Sequence, residues 1–357
     1  MARTGKKKSL FFGITSRTLM SISALLLIVS YLSMYVNPAK AWFMTIFGLL
    51  FLPLVLCNLI LFFWAIFRRS KAVVIPLIAL IPAMLLTGKF VRFTGPENES
   101  EDGVKIVSYN VGRFRLSQDG LSPEACADSV MSFLEASDAD IICLQEFYMK
   151  DSGKVLAYLS RKMKGYDVKY FVNVNEHGCC GNVTMSRYPA VEKGRIAFEH
   201  SANMALYSDY VIGNEKVRVY NCHFESYNIS LSRLAASMEK DYRKTVMDTE
   251  EKMKKSIIRR PKQVDEVLKD IDRCDENVIV AGDFNDTPMS YTYLNLCRTR
   301  KDSFEEAGHG SGATFAKLSP FLRIDYILFP EMYRAVSHKV IHKGFSDHYP
   351  IEAVISI

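Results

Sequence analysis

Gly282-Asp283-Phe284-Asn285-Asp286 follows directly on the apolar run Asn277-Val278-Ile279-Val280-Ala281. A continuous apolar run of this length reads as a strand buried on both faces, so Asp283 and Asn285 fall just past its end, two apart and on one side. Ser346-Asp347-His348, near the C-terminus, sets a carboxylate and an imidazole on a second short turn. Strand ends of this kind deliver polar groups to the rim of a sheet, where loops on a rigid scaffold carry chemistry. Two such rims imply one site.

Working outward, Arg323-Ile324-Asp325-Tyr326-Ile327-Leu328-Phe329 reads as another strand with a carboxylate inside it. Burying Asp325 is costly unless it meets a hydrogen-bonded partner, and His348 is the partner its chemistry suits. An Asp that holds one ring nitrogen of a His fixes the tautomer and stabilises the imidazolium, a common acid/base arrangement. Three further strands end on polar groups: Lys105 to Val111 with Asn110, Asp140 to Glu146 with Glu146, and Val217 to His223 with His223. Singly, each has a plain explanation. Asn110 suits a turn, Glu146 a helix cap, His223 a core or surface histidine, and Asp283 with Asn285 an Asx-turn before Pro288. Recurrence at five strands, in residue types suited to a hard cation and a phosphate, outweighs those explanations taken together.

The set resembles the endonuclease/exonuclease/phosphatase superfamily. The matching pieces run in order: Ser108 to Val111, Leu144 to Glu146, Ser186 to Pro189, Cys222 to Ser226, Gly282 to Asp286, Arg323 to Leu328 and Ser346 to Ile351. The resemblance extends from about Val104 to the C-terminus. It implies an α/β fold, a four-layer sandwich of two packed mixed β-sheets flanked by helices, with the site at one end. It also implies roles. Glu146 would hold Mg²⁺ or Mn²⁺ with help from Asn110 and Asp347; Asp283 would position or activate the attacking water; Asn285 would steady water and phosphoryl oxygens. His223 would contact the phosphate and serve as acid for the leaving group, and His348, oriented by Asp325, would stabilise the transition state.

Elementary chemistry agrees with that assignment. A phosphodiester is an anion that repels nucleophiles, and a divalent cation neutralises the charge and polarises the phosphoryl oxygen. Mg²⁺ wants oxygen ligands and keeps several waters, so one or two carboxylates and an amide suffice. No Cys/His set with zinc spacing is present in the sequence.

Residues 1–95 contain no Asp or Glu and eleven Lys or Arg. Between the basic residues lie three apolar stretches, Thr18 to Val36, Trp42 to Phe67 and Ala72 to Thr87. A membrane span needs roughly 20 apolar residues; the first stretch fits, the second exceeds this, and the third, interrupted by Pro76 and Pro82, is the shortest. The expected organisation is an all-α transmembrane anchor of about three helices over 1–95, a linker over 96–103, and a catalytic domain over 104–357. Basic residues near span ends favour the cytoplasm, so the N-terminal cluster and Arg68-Arg69-Ser70-Lys71 belong inside. Three spans then carry the catalytic domain out of the cytoplasm, across the cytoplasmic membrane if the source is bacterial. The first stretch also has the look of a signal peptide with Ala39-Lys40-Ala41 as a cleavage site, and its removal leaves two spans with the same outcome.

Eleven of the chain's 45 basic residues fall in the anchor, leaving 34 against 39 acidic ones, a net charge near −5 for the rest. Nucleic-acid binders usually carry a basic face, so the charge leans away from a nuclease. The expected partners are a phosphate ester (nucleic acid, phospholipid or small phosphodiester) and a lipid bilayer, with no protein partner inferred. The main alternative to a nuclease is a phospholipid or sphingomyelin-type headgroup hydrolase; a non-catalytic binding protein is the weaker one, since Glu146, Asp283 and His348 are all retained. Seven of the eight cysteines lie beyond the anchor, with no pairing assignable; Cys143 and Cys222 read as buried strand residues and Cys179-Cys180 as part of a loop. Ile229 to Ile271 reads as one long amphipathic helix or two, divided before Pro261, with Lys252, Lys254, Lys255, Arg259, Arg260 and Lys262 as a basic edge. Arg187 and Thr314 are secondary candidates for substrate contact.

Overall fold

In the computed structural model, which describes residues 2–93, 95, 103–227, 229 and 231–357, the chain opens with helices α1 (Ala2–Leu32), α2 (Phe43–Leu49), α3 (Phe51–Phe67) and α4 (Val74–Leu86), then a short strand β1 (Val91–Arg92). Residues 96–102 of the expected linker lie outside the described residues. There follow β2 (Val104–Asn110), α5 (Pro123–Ser137), β3 (Ile141–Met149), α6 (Val155–Lys162), β4 (Asp167–Asn175), β5 (Gly178–Ser186), β6 (Glu192–Ala197), β7 (Met204–Ile212) and β8 (Glu215–His223). The remainder is α7 (Leu231–Lys240), α8 (Tyr242–Ile271), β9 (Asn277–Asp283), α9 (Tyr291–Leu296), β10 (Arg300–Asp302), α10 (Ser303–Ala307), β11 (Gly310–Ser311), β12 (Asp325–Pro330), β13 (Arg334–Val340) and β14 (Ile351–Ser356).

Two mixed sheets, ordered β4-β5-β3-β2-β14-β13 and β6-β7-β8-β9-β12-β10, form the body. Alternation along each strand assigns its two faces. Ile106, Ile141, Val219, Ile279, Ile327 and Ile351 turn inward and form the core between the sheets. Their neighbours Val107 and Ile142 turn outward against Val130 and Leu134 of α5, while Tyr220 and Val280 meet Val264 and Val267 of α8. The order helices, sheet, sheet, helices is the expected four-layer sandwich, and burial on both faces explains why the strands read as unbroken apolar runs.

Two readings are corrected and a third is refined. The segment 229–271 divides at Asp241 and not before Pro261: Asp241 caps α8 by accepting from the Lys244 N–H, and Pro261 sits inside that helix. Proline removes one helical hydrogen bond, but here Ile257, Val264 and Val267 are buried around it and packing prevails. Cys179 and Cys180 lie in β5, not in a loop, and all eight cysteines are free thiols. The third is a refinement that leaves the count of about three spans open: within the apolar stretch Trp42 to Phe67, α2 and α3 meet at a 60° bend.

Two helical segments, Ile14–Leu32 and Lys71–Lys89, are long and apolar enough to cross a membrane, and the bent α2–α3 pair would be a third if it forms one span. Asn58 of α3 donates to the Ser23 carbonyl of α1, and Tyr31 packs on Phe51, so α1 and α3 run antiparallel. One end of this bundle docks on the sandwich. The Ser33 hydroxyl donates to the Met289 carbonyl at 2.6 Å, and a Cβ added to Gly48 would stand 2.5 Å from the same oxygen, so only glycine allows the approach. At the end of α4 the Gly312 N–H donates to Phe90 O at 2.8 Å, and Phe90 stacks on Phe51.

Candidate active site

Register brings the polar strand ends to one rim. β8 and β9 are parallel with His223 opposite Asp283, and β12 is antiparallel to β9 with Asp325 opposite Asp283. Asp325 therefore begins its strand where the sequence suggested an interior position, and the reversed direction carries it to the same end as Asp283. In the facing sheet, β2 and β3 are parallel and pair Asn110 with Gln145. Glu146 does not end its strand. β3 continues to Met149, with its pairing to β5 shifting register between Leu144 and Phe147 and Glu146 in the left-handed region at φ +52°. A bulge of this kind inserts a residue and re-aims its side chain; here it turns Glu146 toward the rim.

Asp283 is the hub. Its Oδ2 accepts from Asn110 Nδ2 across the two sheets at 2.9 Å, and its Oδ1 accepts from the Asn285 backbone N–H at 2.8 Å. His223 Nε2 and His348 Nε2 each lie 3.8 Å from Asp283 Oδ2. Burial, reinforced by the Asp325 carboxylate, pushes Asp283 up to about 6 against the opposing pull of His348, His223 and Asn110. His348 Nδ1 bonds Asp325 Oδ2 at 3.0 Å. Burial alone would disfavour its charged form, but Asp325 and then Asp283 outweigh that and raise His348 to about 10. Asn285 adopts φ +52°, which asparagine tolerates, and its Nδ2 donates to Phe224 O.

The supporting layer is polar and buried. Gln145 Nε2 donates to Asn221 Oδ1 at 2.8 Å, and Asn221 Nδ2 to Val183 O at 2.9 Å, which fastens the two sheets beneath the rim. The Thr314 hydroxyl accepts from the Asp325 N–H and so positions the strand start. Ser346 Oγ donates to Asn110 O at 2.8 Å and brings Asp347 to the same end. Three cations reach the site or its loops where the sequence did not place them. Arg113 lies 3.2 Å from Glu146 Oε2, Lys317 lies 3.0 Å from Asp347 Oδ2, and fully buried Arg260 holds Asp286 Oδ2 at 3.0 Å and the Glu225 carbonyl. The first two sit in single 3-10 turns with no pattern to mark them; Arg260 belongs to the stretch that reads as a basic edge and is instead buried. Arg187 pairs with Asp138 and Tyr166, away from the rim.

Among the described acidic and imidazole groups, the ligand atoms that converge within 4.8 Å of one another belong to Asp283, Asp325 and His348. Because His348 Nδ1 is engaged by Asp325 and the ring is held protonated, this trio is better suited to moving a proton than to ligating a cation. The donor set of Asn110, Glu146 and Asp347 is all oxygen, as a hard divalent cation requires. Beside the oxygens that face Arg113 and Lys317, Glu146 Oε1 lies 3.8 Å from His223 Nε2, Asp347 Oδ1 accepts from Ser346 Oγ at 3.5 Å and Asn110 Oδ1 accepts from the Gly112 N–H at 3.0 Å, each with a further lone pair for a cation. At the rim, His223 Nε2 and Asp325 Oδ1 are buried without hydrogen-bond partners, as polar atoms awaiting a ligand are.

The family model described as "Endonuclease/Exonuclease/phosphatase family" matches residues 107–348, and a domain of unknown function, DUF8431, matches residues 8–90. No curated protein matches the chain. Among solved structures, an endonuclease/exonuclease/phosphatase from Bacteroides vulgatus is similar at 16% identity and TM-score 0.53, over 71% of this chain and 98% of that one. One from Beutenbergia cavernae aligns at 18% identity and TM-score 0.52, covering 71% of each chain. D. rerio TDP2, complexed with a single-strand DNA product, aligns at 19% identity and TM-score 0.52, over 72% of this chain and all of the other. At these identities the structural likeness bears on the fold.

Proposed function

The chain belongs to the endonuclease/exonuclease/phosphatase family of phosphate-ester hydrolases, and from that premise we propose a membrane-anchored, divalent-metal-dependent enzyme that cleaves P–O bonds by direct attack of water. The observation that carries this reading is the convergence of His223, Asp283, Asp325 and His348 at one rim, with Asn110 bridging the sheets to Asp283. Asn110, Glu146 and Asp347 would hold Mg²⁺ or Mn²⁺, which when bound neutralises phosphate charge and polarises the phosphoryl oxygen.

The chain's own residues do the rest. Asp283, fixed through both oxygens and raised toward neutrality, takes a proton from the attacking water. His348, kept as an imidazolium by Asp325, presents Nε2–H to a phosphoryl oxygen as charge develops there. His223, whose Nε2 is buried and unpartnered between Glu146 and Asp283, donates to the leaving oxygen. Asn285 steadies the loop that carries Asp283 and lines the same face.

The full chain in detergent, given bis-p-nitrophenyl phosphate with Mg²⁺ or with EDTA, tests the proposal. Turnover that EDTA abolishes and Mg²⁺ restores is expected. Folded protein with no metal-dependent turnover on this ester, on DNA, on RNA or on phospholipid would favour a binding role instead. DNA belongs in the panel because D. rerio TDP2 binds a single-strand DNA product, while the net charge near −5 outside the anchor favours phospholipid or small esters.

A further inference from the structure

The helix pair α7–α8 is anomalous for the surface of a sandwich. Tyr242 is 65% exposed and Met247 69%, with Met238 and Val246 also exposed beside them. Isolated apolar surface residues need no explanation, but a contiguous patch does. This patch shares Met238 and Val246 with a groove of about 370 Å³ between α2 and the two helices, lined by Trp42, Ile46, Leu234, Met238, Val246 and Met253, with Thr249 and Glu250 as its polar members. Lys254 stands over the Trp42 ring at 5.9 Å.

The groove lies at one end of the N-terminal bundle. Trp42 and Phe43 follow the end of α1, where Ser33 meets the sandwich, and Tyr35 (69% exposed) and Phe93 (88%) belong to the same end. Exposed Leu25, Ile28, Ile60, Phe63, Ile81 and Leu85 form the apolar wall of the bundle beyond them. Aromatic residues gather where a spanning helix meets the headgroups. An amphipathic stripe that carries charged residues alongside, here Lys240, Arg243 and Lys244 with Glu239, Asp241 and Asp248, can lie in that boundary. The occupant of the groove therefore follows from continuity: Trp42 and Ile46 belong to the N-terminal bundle and line the groove together with α7 and α8, so what surrounds the bundle also reaches the groove.

We infer that α7 and the first turns of α8, with Trp42 and Ile46, form a seat for bilayer lipid, the groove taking the acyl chain. The inference rests on the membrane-anchored reading above. Its consequence is that the catalytic rim is held against the lipid surface at two points. Met289, on the loop after Asp283, is held by Ser33, and Arg260, seven residues beyond Met253 on α8, holds Asp286. At 1.5 Å per residue, that separation is about 10 Å along the helix.

Single-tryptophan variants of the full chain in vesicles of phosphatidylcholine, with and without dibrominated acyl chains, provide the test. One variant keeps Trp64 within α3, one keeps Trp42, and one replaces both by Phe and carries Tyr242→Trp. Bromolipid should cause loss of emission at all three, with the emission at position 242 blue-shifted from that of free indole in water. Quenching at Trp64 with none at Trp42 or position 242 would overturn the lipid seat and leave the anchor standing. No quenching even at Trp64 would remove the anchor and the seat together. A second variant, Met238→Glu with Val246→Glu, should reduce quenching at Trp42 while leaving Trp64 unchanged; equal quenching with and without the two carboxylates would also overturn the seat.

Discussion

Asp325 and His348 form a buried pair in which the carboxylate sets the state of the ring. The sign of its effect is fixed: Asp325 and Asp283 raise His348 to about 10, so the imidazolium persists through neutrality and is lost as pH climbs toward that value. Asp325→Asn removes the larger raising charge while keeping a similar shape. The alkaline limb of the rate profile should then move to lower pH, and an unmoved limb would separate Asp325 from catalysis. His348→Ala should remove most of the turnover. A different histidine governs stability. His338 is buried against Ser303 Oγ at 2.8 Å, and burial, then the Arg323 charge, depress it to about 3 against the pull of Asp302. Its folded value lies below the ordinary 6.5, so the stability it contributes is complete above 6.5 and is lost as pH falls toward 3. The full gap corresponds to about 5 kcal/mol. His338→Gln should flatten the fall in thermal midpoint between about pH 7 and about pH 4; identical losses in variant and parent would sink the assignment.

At the scale of elements, α8 does more than cover a sheet. Arg260 reaches from it to Asp286 and to the Glu225 carbonyl, both on the loops that follow β9 and β8, and stacks on Tyr227. Arg260, Asp286 and Glu225 are buried, and removing one partner of a buried ion pair leaves an uncompensated charge that costs about 3–5 kcal/mol. Arg260→Met should therefore lower the unfolding midpoint strongly and slow turnover through the Asp283 loop. Adding Asp286→Asn should recover part of the stability, because the orphaned charge is gone; no recovery would mean that Arg260 acts by packing alone. The bulge in β3 works in the same way on Glu146, since a single inserted residue decides which face of the strand it presents.

For the whole molecule, the docking of the bundle settles which ends share a side. The end of α1, the bend between α2 and α3, and the end of α4 all meet the sandwich, while Arg17, Arg68, Arg69 and Lys71 belong to the other end. Placed in a bilayer with its basic end inside, this arrangement sends the sandwich outward. Alkaline phosphatase fused after Ile357 should be active in a bacterial host, and an expressed but inactive fusion would reverse the topology. Much of this was legible in the residues. Strands buried on both faces announce themselves as apolar runs, and the polar groups that interrupt their ends stand out because burying them needs a reason. The residues alone marked the apolar strands, the polar strand ends Asn110, His223 and Asp283, and the apolar N-terminal region, while the two-sheet sandwich came from the resemblance of the motifs to a family. Chain packing was needed to show that Glu146 sits in a bulge, that Asp325 opens its strand, that Arg260 is a buried strut, and that the bundle docks through Ser33 and Gly48. Those outcomes depend on strand direction, register and partners far apart in the chain, and local pattern carries no information about which distant group will neutralise a buried charge.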